Sequence, residues 1–79
     1  MKKRKARLYF KDDNFLRQIG NKIRDARTAQ NLSIEALANE CEVDYSQINR
    51  MELGKVNFSV SYLSKVANVL KLNPRDLLP

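Results

Sequence analysis

Residues 34–53, IEALANECEVDYSQINRMEL, decide how this chain is read. Ile34, Leu37, Ala38 and Cys41 recur at the spacing of one helix face for about two turns, and the pattern breaks around Glu42. Asp44 can cap a second helix, whose inward candidates are Ile48 and Met51, joined by Val43 just ahead of the cap. Gly54 supplies its stop. Apart from Tyr45 and Leu53, nothing else on this second helix is apolar, so only one of its sides can be buried. Helical spacing then gathers Tyr45, Ser46, Asn49 and Arg50 on the face opposite Ile48 and Met51. Ala38 is small enough for the two helices to cross closely, and Leu37, Val43, Ile48 and Met51 would lock them together.

The flanks continue the helical pattern in both directions. Asp12, Asp13 and Asn14 can cap a preceding helix and suit its positive end, and Phe15, Leu16, Ile19, Ile23 and Ala26 fall along one face. That helix should end near Gln30, since Asn31 can take the left-handed conformation of a stop and Ser33 begins the next helix. After Gly54, Ser59 caps a fourth helix with Val60, Leu63, Val66, Ala67 and Leu70 on its stripe. Pro74 suits the first turn of a last, short helix through Leu78. The expectation is an all-α domain of five helices, its only competing signal a weak extended possibility at Leu8–Phe10.

With 79 residues the chain reads as one domain and leaves no room for a separate ligand-sensing unit, so no small-molecule ligand is implied. Cys41 is the single cysteine and histidine is absent, which excludes an internal disulfide and leaves no metal set, cofactor or nucleophile–base pair in view. A catalytic role is therefore not expected, and Cys41 reads as a small buried apolar residue. No apolar run of about 18 residues is present, and the basic start does not lead into a signal core. The reading is a soluble, cytoplasmic protein without a membrane partner.

The net charge of +6 lies in one place. Residues 1–11 hold Lys2, Lys3, Arg4, Lys5, Arg7 and Lys11 with no acid, whereas residues 12–79 balance nine basic against nine acidic side chains. The chain thus divides into a basic N-terminal arm, 1–13, and a helical domain, 14–79. An acid-free arm favours phosphates through counterion release, without choosing a sequence; a solubilising tail is the plainer alternative.

Two short helices in a tight turn, the second presenting a stripe of hydrogen-bonding side chains, have the arithmetic of a helix-turn-helix. Such a stripe can meet base edges in the major groove, where arginine pairs with the two acceptors of guanine and asparagine with adenine. The wider pattern comprises Ile19-Gly20, Ile23-Arg24, Leu32-Ser33, Leu37-Ala38, Ile48, Arg50-Met51-Glu52, Gly54-Lys55, Leu63, Ala67, Leu70 and Leu77-Leu78. In this order it resembles the phage-repressor/Cro family of helix-turn-helix domains, also called lambda-repressor-like or xenobiotic-response-element type. The resemblance covers Ile19 to Leu78, about three-quarters of the chain.

The resemblance implies roles residue by residue. Tyr45, Ser46, Asn49 and Arg50 become base-contacting candidates, with covering the second helix left as the other reading of Tyr45. Ser33, Gln47, Lys55, Asn57 and Ser59 become backbone-contacting candidates; Ser33 stands at a helix N-terminus, where amides and dipole suit a phosphate, and serves equally as a cap. Arg27 and Glu52 match the family's ion pair, against the alternative of two independent surface charges. Three positions depart from the pattern. Glu42 occupies the turn position usually held by glycine, at a cost of roughly 1 kcal/mol if it accepts a positive φ. Ile34 replaces a common glutamine, so one polar phosphate contact is lost. Phe58 replaces a common proline and can pack inward or against a partner subunit. Leu53 can be a packing lid or a subunit contact.

The implied function is sequence-specific binding of double-stranded DNA by a repressor-like transcriptional regulator, acting as a homodimer on a partly palindromic operator. Leu72, Pro74, Leu77 and Leu78 are candidates for the dimer contact or for completing the monomer core. The rival class is an antitoxin or protein-interaction module on the same fold, holding a protein partner through an apolar patch near Phe58, Leu53 and Leu77-Leu78 with DNA binding secondary.

Overall fold

The computed structural model describes residues 10–79. Most of the basic arm, with Leu8 and Tyr9 of the weak extended stretch, lies outside the described residues; Phe10 itself is in no strand. Four α-helices follow one another, α1 Asp13–Ala29, α2 Ile34–Cys41, α3 Tyr45–Glu52 and α4 Val60–Val69, and a 3-10 turn at Pro74–Leu77 closes the chain. The fold is all-α and repressor-like in its order of elements.

Each boundary has a local cause. The Asp12 carboxylate accepts the Phe15 amide at 3.0 Å to start α1, and Asn31 turns out of it at φ 58°. Ser33 Oγ accepts the Ala36 amide at 2.9 Å to start α2. At the end of α2, Glu42 takes φ 61° and ψ 42°, the left-handed conformation usually left to glycine. Its turn lets the Val43 amide donate to Ala38 O at 3.0 Å, satisfying a carbonyl that the helix end would leave open. Asp44 has the extended backbone of a cap before α3, but its side chain makes no capping hydrogen bond. Ser59 Oγ accepts the Tyr62 amide at 3.1 Å to start α4.

The expected fifth helix through Leu78 is a single 3-10 turn. Asn73 Oδ1 accepts the Arg75 amide at 3.1 Å and Asp76 Oδ2 accepts the Asn73 amide at 3.0 Å. This reciprocal cap closes on four residues, and Leu78 already has extended backbone, so no second turn is available to complete α-helical bonds.

The core joins all five elements through Ile19 and Ile23 of α1, Leu37, Ala38 and Cys41 of α2, Ile48 and Met51 of α3, Leu63, Val66 and Ala67 of α4, then Leu70 and Leu77. Leu77 is 1% exposed and thus belongs to the monomer core. Two residues on the expected stripes stay outside: Phe15 is 42% and Val60 83% exposed. Both sit in the first turn of their helix, which overhangs the core. Among the described residues, no buried side-chain nitrogen or oxygen lacks a hydrogen-bond partner, and no helix is long and apolar enough to cross a membrane.

Candidate nucleic-acid interface

What α3 presents to the outside depends on how it is held. Its buried side is Ile48, Met51 and Glu52, and Gly20 of α1 lets its end approach closely. A Cβ at Gly20 would meet the backbone carbonyl oxygens of Met51 and Glu52 at or inside 2.5 Å, where only a residue without a side chain fits. Glu52 is 4% exposed, and Arg27 reaches it from α1 with Nε 2.6 Å from Oε2 and Nη2 3.0 Å from Oε1. The third donor, Nη1, reaches Leu32 O at 2.8 Å in the turn before α2. One guanidinium therefore ties α1, the α1–α2 turn and the end of α3. Its hydrogen bond to Glu52 raises the Arg27 pKa above its already high ordinary value, against the opposing effect of burial.

With α3 pinned on one side, its other side projects. Tyr45, Ser46 and Arg50 are exposed, and Asn49 and Gln47 are half-buried at the edges of the same face. Arg50 leans back along the helix, with Nη1 3.4 Å from Gln47 Oε1 and Nη2 3.4 Å from Ser46 Oγ. Contacts this long leave the guanidinium easily redirected. Among the described residues the ion pairs are Lys11–Asp13, Arg27–Glu52 and Lys65–Glu42, so Arg50 carries its charge on the exposed face without a carboxylate partner.

The backbone-contacting candidates are more dispersed. Ser33 and Ser59 are exposed and both cap helices through their hydroxyls. Lys55 and Asn57 lie in the segment that leaves α3 after Gly54, whose φ of 71° turns the chain. A Cβ at Gly54 would fall 2.7 Å from Arg17 Cα, so this loop runs against the first turns of α1. There Asn57 Nδ2 donates to Phe10 O at 3.1 Å and Lys11 Nζ donates to Lys55 O at 3.4 Å. These ties span 47 and 44 residues, and no local sequence signal marks them. A further unforeseen tie is Gln30 Nε2 to Leu70 O at 2.7 Å, which joins the end of α1 to the end of α4.

Phe58 packs against the core and Leu53 stays 47% exposed. A groove of about 190 Å³ runs beside Phe58, lined by Phe15, Val60 and Leu78 among others. Cys41 is buried and unpaired, and burial pushes its thiol pKa up. Among the described residues no group of three or more His, Cys, Asp or Glu side chains is placed to hold a metal ion.

A two-helix unit locked in an all-α core, with a polar face projecting from its second helix, defines a DNA-binding helix-turn-helix domain of repressor-like fold. The chain belongs to the helix-turn-helix family HTH_3, which matches it over residues 23–77. Control protein C.BamHI of Bacillus amyloliquefaciens is 37% identical over 60 residues, 75% of this chain and 74% of that protein. The restriction-modification controller protein C.AhdI of Aeromonas hydrophila superposes with a TM-score of 0.77 at 36% identity, covering 80% of this chain and 96% of that one. A hypothetical transcription factor, NHTF, from Neisseria superposes with the same TM-score of 0.77 at 28% identity, covering 86% and 79%. That family is one of DNA-binding helix-turn-helix transcriptional regulators.

Proposed function

We propose that this chain is a controller-type regulator that binds a partly palindromic operator as a homodimer and acts within a restriction–modification system. The observation that carries the reading is the state of α3: one side immobilised by Ile48, Met51 and the Arg27–Glu52 pair, the other offering Tyr45, Ser46, Asn49 and Arg50 to the outside. A rigid helix with a movable arginine and an adjacent asparagine suits direct readout, in which paired hydrogen bonds discriminate base edges in the major groove. Ser33, Gln47, Lys55, Asn57 and Ser59 then surround the helix as phosphate-side contacts that set register. The controller role rests on likeness to C.BamHI and C.AhdI at 37% and 36% identity, nearly the whole of the latter being covered.

Homodimer formation is supported by the apolar surface left beside the 3-10 turn. Leu77 is spent in the monomer core and Leu72 packs against it, which leaves Leu78, with Phe15 and Val60 along the same groove, for a second copy. A two-fold dimer would set two α3 helices about one DNA turn, roughly 34 Å, apart.

Selection from a randomised duplex library at about 150 mM salt, where purely electrostatic attachment is weakened, tests the reading. Enrichment of an inverted repeat with half-sites about 10 base pairs apart supports a dimeric sequence reader. Retention without enrichment favours instead the protein-interaction module, for which the Phe15, Phe58, Val60 and Leu78 groove would be the docking surface.

A further inference from the structure

Arg50 starts from the last turn of α3, yet its guanidinium does not stay there. Nη1 lies 3.4 Å from Gln47 Oε1 and Nη2 3.4 Å from Ser46 Oγ, so the charge sits beside residues three and four positions earlier. Helical side chains lean toward the N-terminus and meet at this spacing. Arg50 is thereby carried back about one turn, roughly 5.4 Å, toward the end of α3 that enters the major groove in a docked helix-turn-helix. The two acceptors differ in how firmly they are placed. Ser46 is exposed, and a hydroxyl rotates to suit whatever partner is near. Gln47 is half-buried and lies beside Tyr62 of α4, whose ring packs against the core. Burial pushes the Tyr62 pKa up, and hydrogen bonding with the Gln47 side chain opposes that rise. Gln47 therefore touches α4 on one side and Arg50 on the other.

We propose that Gln47 is a positioning residue: steadied against α4, its side-chain oxygen aims the Arg50 guanidinium at the base edges faced by the first half of α3. The proposal rests on Arg50 being a base contact and deepens that reading, moving Gln47 from the phosphate side to the specificity of the site. Binding need not undo the aim. An arginine has five N–H donors, of which Gln47 and Ser46 engage one on each terminal nitrogen, and the three that remain exceed the two that guanine can accept. Separations of 3.4 Å also leave play for the guanidinium to settle on a base. The base then meets an arginine already confined to few rotamers, so less side-chain freedom is lost on binding.

The test measures operator affinity and base preference for the full chain, for Gln47→Met, for Arg50→Ala and for the two changes together, at a temperature where thermal melts show all four folded. Methionine keeps the length and packing of the side chain and removes the acceptor. Gln47→Met should weaken operator binding about two- to tenfold, the scale of ordering one long side chain on association. It should also flatten the preference at the base position that Arg50→Ala flattens, and at no other. In the Arg50→Ala background the same change should cost almost nothing, a coupling that marks action through Arg50. An equal loss with and without Arg50 overturns the proposal, because that is how Gln47 behaves if it meets phosphate itself. Unchanged or tighter binding by Gln47→Met overturns it as well, since the contact would then only park the arginine. Failure of the underlying reading is distinguishable: Arg50→Ala alone would then leave the base preference intact.

Discussion

Arg27 and Glu52, 25 residues apart, meet through two parallel contacts of 2.6 and 3.0 Å in a setting where neither side chain is more than 11% exposed. The pair gives α1 and the end of α3 a fixed relation, and with it the aim of the face that bears Tyr45, Ser46 and Arg50. Burial makes the pair asymmetric in consequence: intact, it roughly repays its own desolvation, but one partner alone is a buried charge without compensation.

Truncating either partner should therefore be severe. Arg27→Ala or Glu52→Ala is expected to cost about 3–5 kcal/mol, lowering Tm by more than about 10 °C in a domain of this size. The double replacement Arg27→Met with Glu52→Leu should recover most of that loss, because no charge is left buried. Thermal denaturation of the three variants decides it; single truncations that cost under 1 kcal/mol would place the pair among ordinary surface contacts.

Gly20→Ala tests the same junction from the backbone side. The added methyl would press on the carbonyls of Met51 and Glu52, which belong to a helix and cannot swing aside as a side chain could. Overpacking of this kind costs about 1–3 kcal/mol. The expected result is a lowered urea midpoint together with weakened DNA binding at temperatures where the variant remains folded, since relief requires α3 to move. Stability lost with operator affinity untouched would mean that α1 yields instead.

The turn between α2 and α3 offers a change in the opposite direction. Glu42 holds φ 61°, and its carboxylate gains only a 3.5 Å exposed contact with Lys65. Glu42→Gly removes the steric penalty of the left-handed conformation, partly offset by the greater freedom of glycine in the unfolded chain. A net gain of about 0.5–1 kcal/mol is expected, read as a Tm raised by a few degrees. A fall in Tm would show that the Glu42–Lys65 contact or another feature of the side chain outweighs the strain.

Cys41 links stability to pH. Burial raises its pKa in the folded state, so the folded protein retains a proton that the unfolded chain releases above about pH 8.5. The resulting contribution is fully present below that value and is lost as pH climbs through the folded pKa. Urea midpoints should fall between pH 7.5 and 9.5 more steeply for the native sequence than for Cys41→Ala. In the native state a thiol reagent should label Cys41 no faster than the protein opens. Equal pH slopes for the two proteins would refute the assignment.

What the sequence made legible follows from the range of the signals. The helices of 34–53, the caps at Ser33 and Ser59 and the stops at Asn31 and Gly54 are local, and periodicity with turn chemistry exposes them; at Glu42 the sequence shows the break in pattern but leaves the shape of the turn open, and the structure gives it the left-handed conformation. The final element is shorter and more tightly wound than the short helix through Leu78 that the sequence suggests, because Pro74 suits the first turn of either an α- or a 3-10 helix and the extended backbone of Leu78 ends it after four residues. Phe15 and Val60 share the period of their stripes yet stay exposed, since period does not say where a helix outruns its core. For the site, the composition of the α3 face was readable from spacing alone. The Asn57–Phe10 and Lys11–Lys55 ties were not, because they join segments more than 40 residues apart through side chain to backbone contacts that leave no pattern.

Arg50 is the residue on which the proposed specificity turns. It is exposed, held only by 3.4 Å contacts to Gln47 and Ser46, and free of any carboxylate partner among the described residues. Releasing it toward a base therefore breaks little within the protein. Arg50→Ala should weaken binding to the selected operator by about 1–3 kcal/mol and flatten the preference at one position of each half-site, while affinity for unrelated DNA falls only slightly. Arg50→Lys keeps the charge but loses the planar fork that can engage both acceptors of guanine, so it should retain the nonspecific affinity and recover little of the preference. The pair of variants separates charge from geometry. If Arg50→Lys restores full discrimination, the side chain acts as a point charge toward phosphate, and the reading of bases passes to Asn49, Ser46 and Tyr45.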